Sequence, residues 1–112
     1  MKGLIVYITV PDRKTAERIS RCLVEESLAA CVTTLSRGFS RYRWKGKVES
    51  ASEILMMVKT VPSRFAALMK RVKGLHPYEV PEIIALPISR GNPDYLAWLA
   101  ESTLGSHRKG KR

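Results

Sequence analysis

Two prolines four residues apart, Pro77 and Pro81, restrict the segment His76-Pro77-Tyr78-Glu79-Val80-Pro81-Glu82 more tightly than any other part of the chain. Each removes a backbone donor and fixes φ, so no helix can run through them. The residues before them, His76 and Val80, are pushed toward extended conformations. Yet the segment carries an imidazole, a phenol and two carboxylates, and an apolar run, Ile83 to Ile88, follows at once. It reads either as a candidate site or as a stiff connector whose polar groups satisfy nearby backbone.

The elements around this segment follow from periodicity. Gly3 to Val10 is a nearly continuous apolar run with Ile, Val and Tyr, as in a buried strand. Asp12, after Pro11, can cap a helix whose stripe is Ala16, Ile19, Leu23 and Ser27. Leu28 to Leu35 reads as a second strand. Phe39 to Trp44 alternates aromatic and polar residues, Lys45-Gly46 supplies a turn, and Lys47 to Glu49 returns into a strand through Ser52 to Thr60.

Pro62-Ser63 opens a second helix with Phe65, Leu68, Met69 and Val72 on one face, and Gly74 is expected to close it as a left-handed cap. Glu82 to Ile88 is the next strand. Asn92-Pro93-Asp94 starts a last helix through Tyr95, Leu96, Trp98, Leu99 and Thr103, ended by Gly105. The order β-α-β-β-α-β-α predicts an α+β, ferredoxin-like βαββαβ domain with an extended hairpin between strands two and three and a C-terminal helix.

A chain of 112 residues has room for one core, assigned here to residues 1–105. No apolar run approaches the roughly 20 residues that cross a bilayer. The N-terminal stretch reads as a strand rather than a signal peptide, so the expectation is a cytoplasmic protein with no membrane partner. Cys22 and Cys31 fit no C-x-x-C pattern and are expected to be buried, reduced thiols. Of the net charge of +10, Arg108 to Arg112 contribute +4, and 106–112 reads as a basic, disordered tail.

Three kinds of chemistry can be read from the residues themselves. Catalysis lacks its parts: His107 lies in the tail, His76 is the one imidazole within the folded domain, and no nucleophile elbow, Walker loop or H-E-x-x-H occurs. Metal binding has more to offer. His76, Glu79 and Glu82 recur at every third residue and would align on a polyproline-like spiral, although one histidine per chain makes a strong site only where several chains contribute. Nucleic acid is the other class, with a weaker case than metal binding. Arg41, Arg43, Lys45 and Lys47 interleave with Tyr42 and Trp44, but the recognition-motif pattern on a central strand is missing. A long hairpin cannot bury its own aromatics, which points to a partner subunit packing against Tyr42 and Trp44.

Taken together, Ala29-Ala30-Cys31-Val32, Tyr42-Arg43-Trp44-Lys45-Gly46-Lys47, His76 to Glu82 and Tyr95-Leu96-x-Trp98-Leu99 resemble the CutA family of divalent-cation tolerance proteins, from Ile5 to about Ser102. The resemblance implies a PII-like homotrimer of ferredoxin-like protomers, with hairpins that reach neighbouring subunits. It also implies a link to heavy-metal tolerance, chiefly to copper, without enzymatic activity. On that basis His76 and Glu79 are the candidate ligands for copper(II) or another divalent cation. Tyr42, Trp44, Tyr78 and Glu82 are candidates for a ligand cleft or subunit interface. One departure stands out: Ile8 and Leu75 occupy places where relatives with a proposed metal site carry cysteine and histidine. The alternative function is a structural or signalling trimer with no metal site of its own.

Overall fold

The computed structural model describes residues 3–104. The expected helix end at Gly105, the tail at 106–112 and His107 lie outside the described residues. Seven main elements follow in order: β1 (Gly3–Val10), α1 (Arg13–Glu25), β2 (Cys31–Trp44), β3 (Lys47–Thr60), α2 (Phe65–Leu75), β4 (Ile83–Ile88) and α3 (Pro93–Ser102). The strands form one antiparallel sheet in the order β2-β3-β1-β4, so β3 is inserted between the two strands of the first βαβ unit. This is the ferredoxin-like α+β arrangement that the order of sequence signals predicts.

The local signals act as expected at both capped helices. Asp12 accepts from the Thr15 amide at 2.8 Å, and Asn92 accepts from the Asp94 amide at 3.0 Å with Pro93 in the first turn. Those bonds satisfy amides that a helix N-terminus leaves open. The hairpin turn needs positive φ at both central residues, and Lys45 (49°) and Gly46 (81°) provide it.

Five expected boundaries move. Gly74 is not a left-handed cap: α2 runs on to Leu75, and extended His76 ends it where Pro77 forbids continuation. Pro62–Arg64 forms a separate 3₁₀ turn before α2. Ser27 lies beyond α1 with φ of 58°, and Leu28 to Ala30 lead into a strand that starts at Cys31. β4 starts at Ile83 rather than Glu82. Cys22 and Cys31 are half-buried thiols, less enclosed than expected.

Residues opposite each other in an antiparallel ladder share a face of the sheet. Val6, Ile8 and Val10 pair with Val58, Met56 and Ile54, and all six are buried under Ala16, Ile19 and Leu23 of α1 and Leu68 and Val72 of α2. Fully enclosing a side chain of this size contributes about 1.5–3 kcal/mol before the entropy of ordering it is counted. Tyr7, Thr9, Leu55 and Met57 therefore point to the far face. The last helix, α3, packs against β1 and β3.

An irregularity between Thr34 and Arg37 decides what the far half of β2 presents. Thr34 pairs with Met56 and Arg37 with Ile54, so two residues of β2 stand where β3 has one. Such a bulge reverses the alternation downstream, because side-chain direction has period two. Ser40, Tyr42 and Trp44 consequently share the far face with Glu53, while Phe39, Arg41 and Arg43 take the helix side of a hairpin that outruns the helices. The molecule is elongated accordingly, at 47 × 26 × 25 Å.

Candidate functional site

The segment that follows α2 is tied down by His76. Its ring is buried; Nε2 lies 2.7 Å from the Thr9 carbonyl oxygen, and Nδ1 accepts from the Tyr78 amide at 3.1 Å. A carbonyl can only accept and an amide can only donate, so the Nε2–H tautomer satisfies both bonds. Imidazole thus joins the end of β1 to the start of the Pro-rich segment, and its ring lies 4.8 Å from that of Tyr78. A metal ion would have to displace one of these two bonds to reach a ring nitrogen.

Beyond His76 the chain crosses onto the far face of the sheet. There the Tyr78 hydroxyl donates to Glu53 Oε2 at 2.9 Å. Glu53 is only 7% exposed, although it belongs to a strand whose other end carries the core. Burial, then the hydrogen bond to the Glu53 carboxylate and its negative charge, push the Tyr78 phenol up to about 12. Ionising it would place two anions side by side in a partly dehydrated spot.

Between this segment and the hairpin runs a groove of about 720 Å³. Thr9 and Glu53 form its floor, with Tyr42 and Trp44 on the hairpin side and Tyr78, Glu79 and Glu82 on the other. Tyr42, Trp44, Tyr78, Glu79 and Glu82 are therefore brought together, whereas His76 is used beneath them as a clasp. Glu79 and Glu82 are exposed. Among the described residues no three histidine, cysteine, aspartate or glutamate side chains form a group that could hold a metal ion.

Sequence reasoning missed Glu53, Thr9 and Ser40. A carboxylate at a strand position followed at once by Ile54 and Leu55 was the available signal for Glu53. Nothing local marked Thr9, whose contribution includes its backbone oxygen, or Ser40, whose side depends on the bulge.

A ferredoxin-like sheet, a hairpin that outruns its helices and a groove at the hairpin's base define a class of small α+β proteins. Comparison with known proteins narrows the class. Residues 4–102 match the model of the family described as CutA1 divalent ion tolerance protein. The divalent-cation tolerance protein CutA of Thermus thermophilus is 52% identical over 99 residues, covering 88% of this chain and 96% of that protein. The mouse protein CutA is 50% identical over 97 residues, but the match spans only 55% of its length.

Among solved structures, the divalent cation tolerance protein of Thermus thermophilus superposes with a TM-score of 0.88 at 51% identity, covering 92% of this chain and 99% of that one. CutA1 from Oryza sativa gives 0.90 at 43% identity, with 95% and 97% covered. The chain belongs to the CutA1 divalent ion tolerance family.

Proposed function

We propose that this protein acts in divalent-cation tolerance as a non-enzymatic homotrimer whose groove receives a ligand. One observation carries the reading: apolar side chains stand exposed on the far face and along the hairpin. Phe39 is 67% exposed, Val48 62% and Ile84 51%, with Leu35 and Leu86 also open to solvent. Apolar surface of this extent, on a chain that covers its other face with helices, calls for a partner. A second and third copy of the chain would supply it. Light scattering on the purified protein should give three times the chain mass, and a monomer would end the proposal.

Within the trimer, copper(II) is the first cation to test, with Glu79 as the candidate carboxylate donor at the groove. Calorimetric titration into wild type, Glu79→Gln and His76→Ala separates the possibilities. Saturable heat lost in Glu79→Gln supports a groove site, and saturable heat lost only in His76→Ala would place the ion at the imidazole. The second reading, a signalling or structural trimer without its own metal site, is favoured by the two hydrogen bonds that occupy His76. Heat that does not saturate in any of the three proteins supports that reading.

A further inference from the structure

The groove's chemistry contrasts with the chain that surrounds it. In a protein of net charge +10, the charged residues lining the groove are Glu53, Glu79 and Glu82 against Arg41 alone. Arg41 sits on the helix-side face of β2, with its guanidinium carbon 5.2 Å from the Phe39 ring centre. The remaining walls include three aromatic rings, those of Tyr42, Trp44 and Tyr78.

Glu53 is the informative member. It is nearly buried, and its side chain is held by the neutral Tyr78 hydroxyl rather than by a cation. Two carboxylates that do have cation partners, Glu17 with Arg21 and Glu26 with Arg71, lie on the helical side of the fold. Enclosing a carboxylate without a cation is costly, so the site gains from any positive group that enters.

Ring chemistry points the same way. An aromatic face attracts cations through its quadrupole, most strongly in tryptophan. Lys45 already illustrates this on the hairpin, with its ammonium 5.7 Å from the Trp44 ring centre. Size then separates the kinds of cation. A metal ion with six waters needs about 180 Å³ at some 30 Å³ per water. The groove offers about 720 Å³, within the range typical of organic ligands.

We infer that the groove is a binding site for a small organic cation, an ammonium group carried on apolar substituents, held between the Glu53 carboxylate and the rings of Trp44 and Tyr42. Glu53 supplies the charge, Tyr78 fixes the carboxylate's orientation, and the rings receive the substituents. Glu79 and Glu82 at the exposed rim add a long-range field that favours entry of cations over anions. The inference rests on the groove being a ligand site, as proposed above, and is independent of metal binding.

Tetramethylammonium chloride is the probe, titrated into the Trp98→Phe protein so that Trp44 is the one tryptophan reporting. Sodium chloride at equal ionic strength is the control. A saturable change in Trp44 emission, absent with sodium and weakened about tenfold or more by Glu53→Gln, is the expected result; tenfold corresponds to about 1.4 kcal/mol. Saturation-transfer NMR from wild-type protein to the probe's methyl groups gives a second readout should Trp98→Phe fold poorly. An equal response to sodium, no response by either method, or insensitivity to Glu53→Gln overturns the inference. Trimer mass and copper heats on the same preparation show separately whether the broader proposal stands. Loss of the organic-cation site alone would leave it intact.

Discussion

Tyr78 and Glu53, 25 residues apart in sequence, meet at 2.9 Å across the floor of the groove, with the phenol donating to the carboxylate. The pair links the Pro-rich segment to the sheet at the point where the hairpin begins to project. It also gives the groove a signature that can be followed with pH.

The folded-state value of about 12 for Tyr78 lies above the ordinary value of 10.0. A group whose pKa is raised on folding contributes stability below its unfolded value and loses it as pH rises through the folded value. Stability from this contact is therefore full below pH 10 and falls between pH 10 and about 12. Ultraviolet titration at the phenolate band should show a late-ionising tyrosine that disappears in Tyr78→Phe. In Glu53→Gln its ionisation should move to lower pH, and an unchanged late phase in either variant would contradict the pairing.

Replacing His76 by alanine leaves the Thr9 carbonyl and the Tyr78 amide without their partner and opens a gap under the segment. The expected loss is about 2–4 kcal/mol in denaturant unfolding, the range for a buried hydrogen-bonding side chain. Copper heats should be unchanged if His76 is only a clasp. A variant as stable as wild type would show that the clasp does little.

Deleting Ser36 removes one residue from the irregular stretch of β2 and restores simple alternation. Tyr42 and Trp44 then keep their pairing with Glu49 and Lys47 and stay on the far face, because the extra residue and the bulge are lost together. Light scattering is expected to report the same mass as wild type, with far-ultraviolet circular dichroism keeping its helical signal. A deletion mutant that fails to match the wild-type mass would show that the local shape of the bulge, and not only the face it sets, builds the proposed interface.

Gly46 holds φ of 81° in the hairpin turn, a conformation that costs a β-branched side chain about 1–2 kcal/mol. Gly46→Val should lower unfolding stability by that order and broaden the amide signals of Trp44 and Lys47 in NMR. Asn92→Ala should cost about 1 kcal/mol through loss of the α3 cap, with no effect on the hairpin. The two variants together check that the elements respond locally.

Sequence alone determined what a few neighbouring residues can specify. Asp12 and Asn92 announce helix starts because capping uses atoms two or three positions away. Lys45-Gly46 announces a turn, Pro77 and Pro81 rule out a helix, and the apolar runs of β1 and β3 mark them as strands of a buried sheet. The candidate site was half legible for the same reason: Tyr42, Trp44, Tyr78, Glu79 and Glu82 stand out by type and spacing.

Tertiary structure decided the rest. The role of His76 depends on the carbonyl of Thr9, 67 residues away, and no local pattern reveals that both ring nitrogens are engaged. The face shown by Tyr42 and Trp44 depends on the bulge near Ser36, because a regular ladder through the same residues would invert every side chain beyond it. Glu53 becomes part of a site only when Tyr78 is folded over it. Local chemistry specifies which elements form; long-range pairing specifies which side chains finally meet.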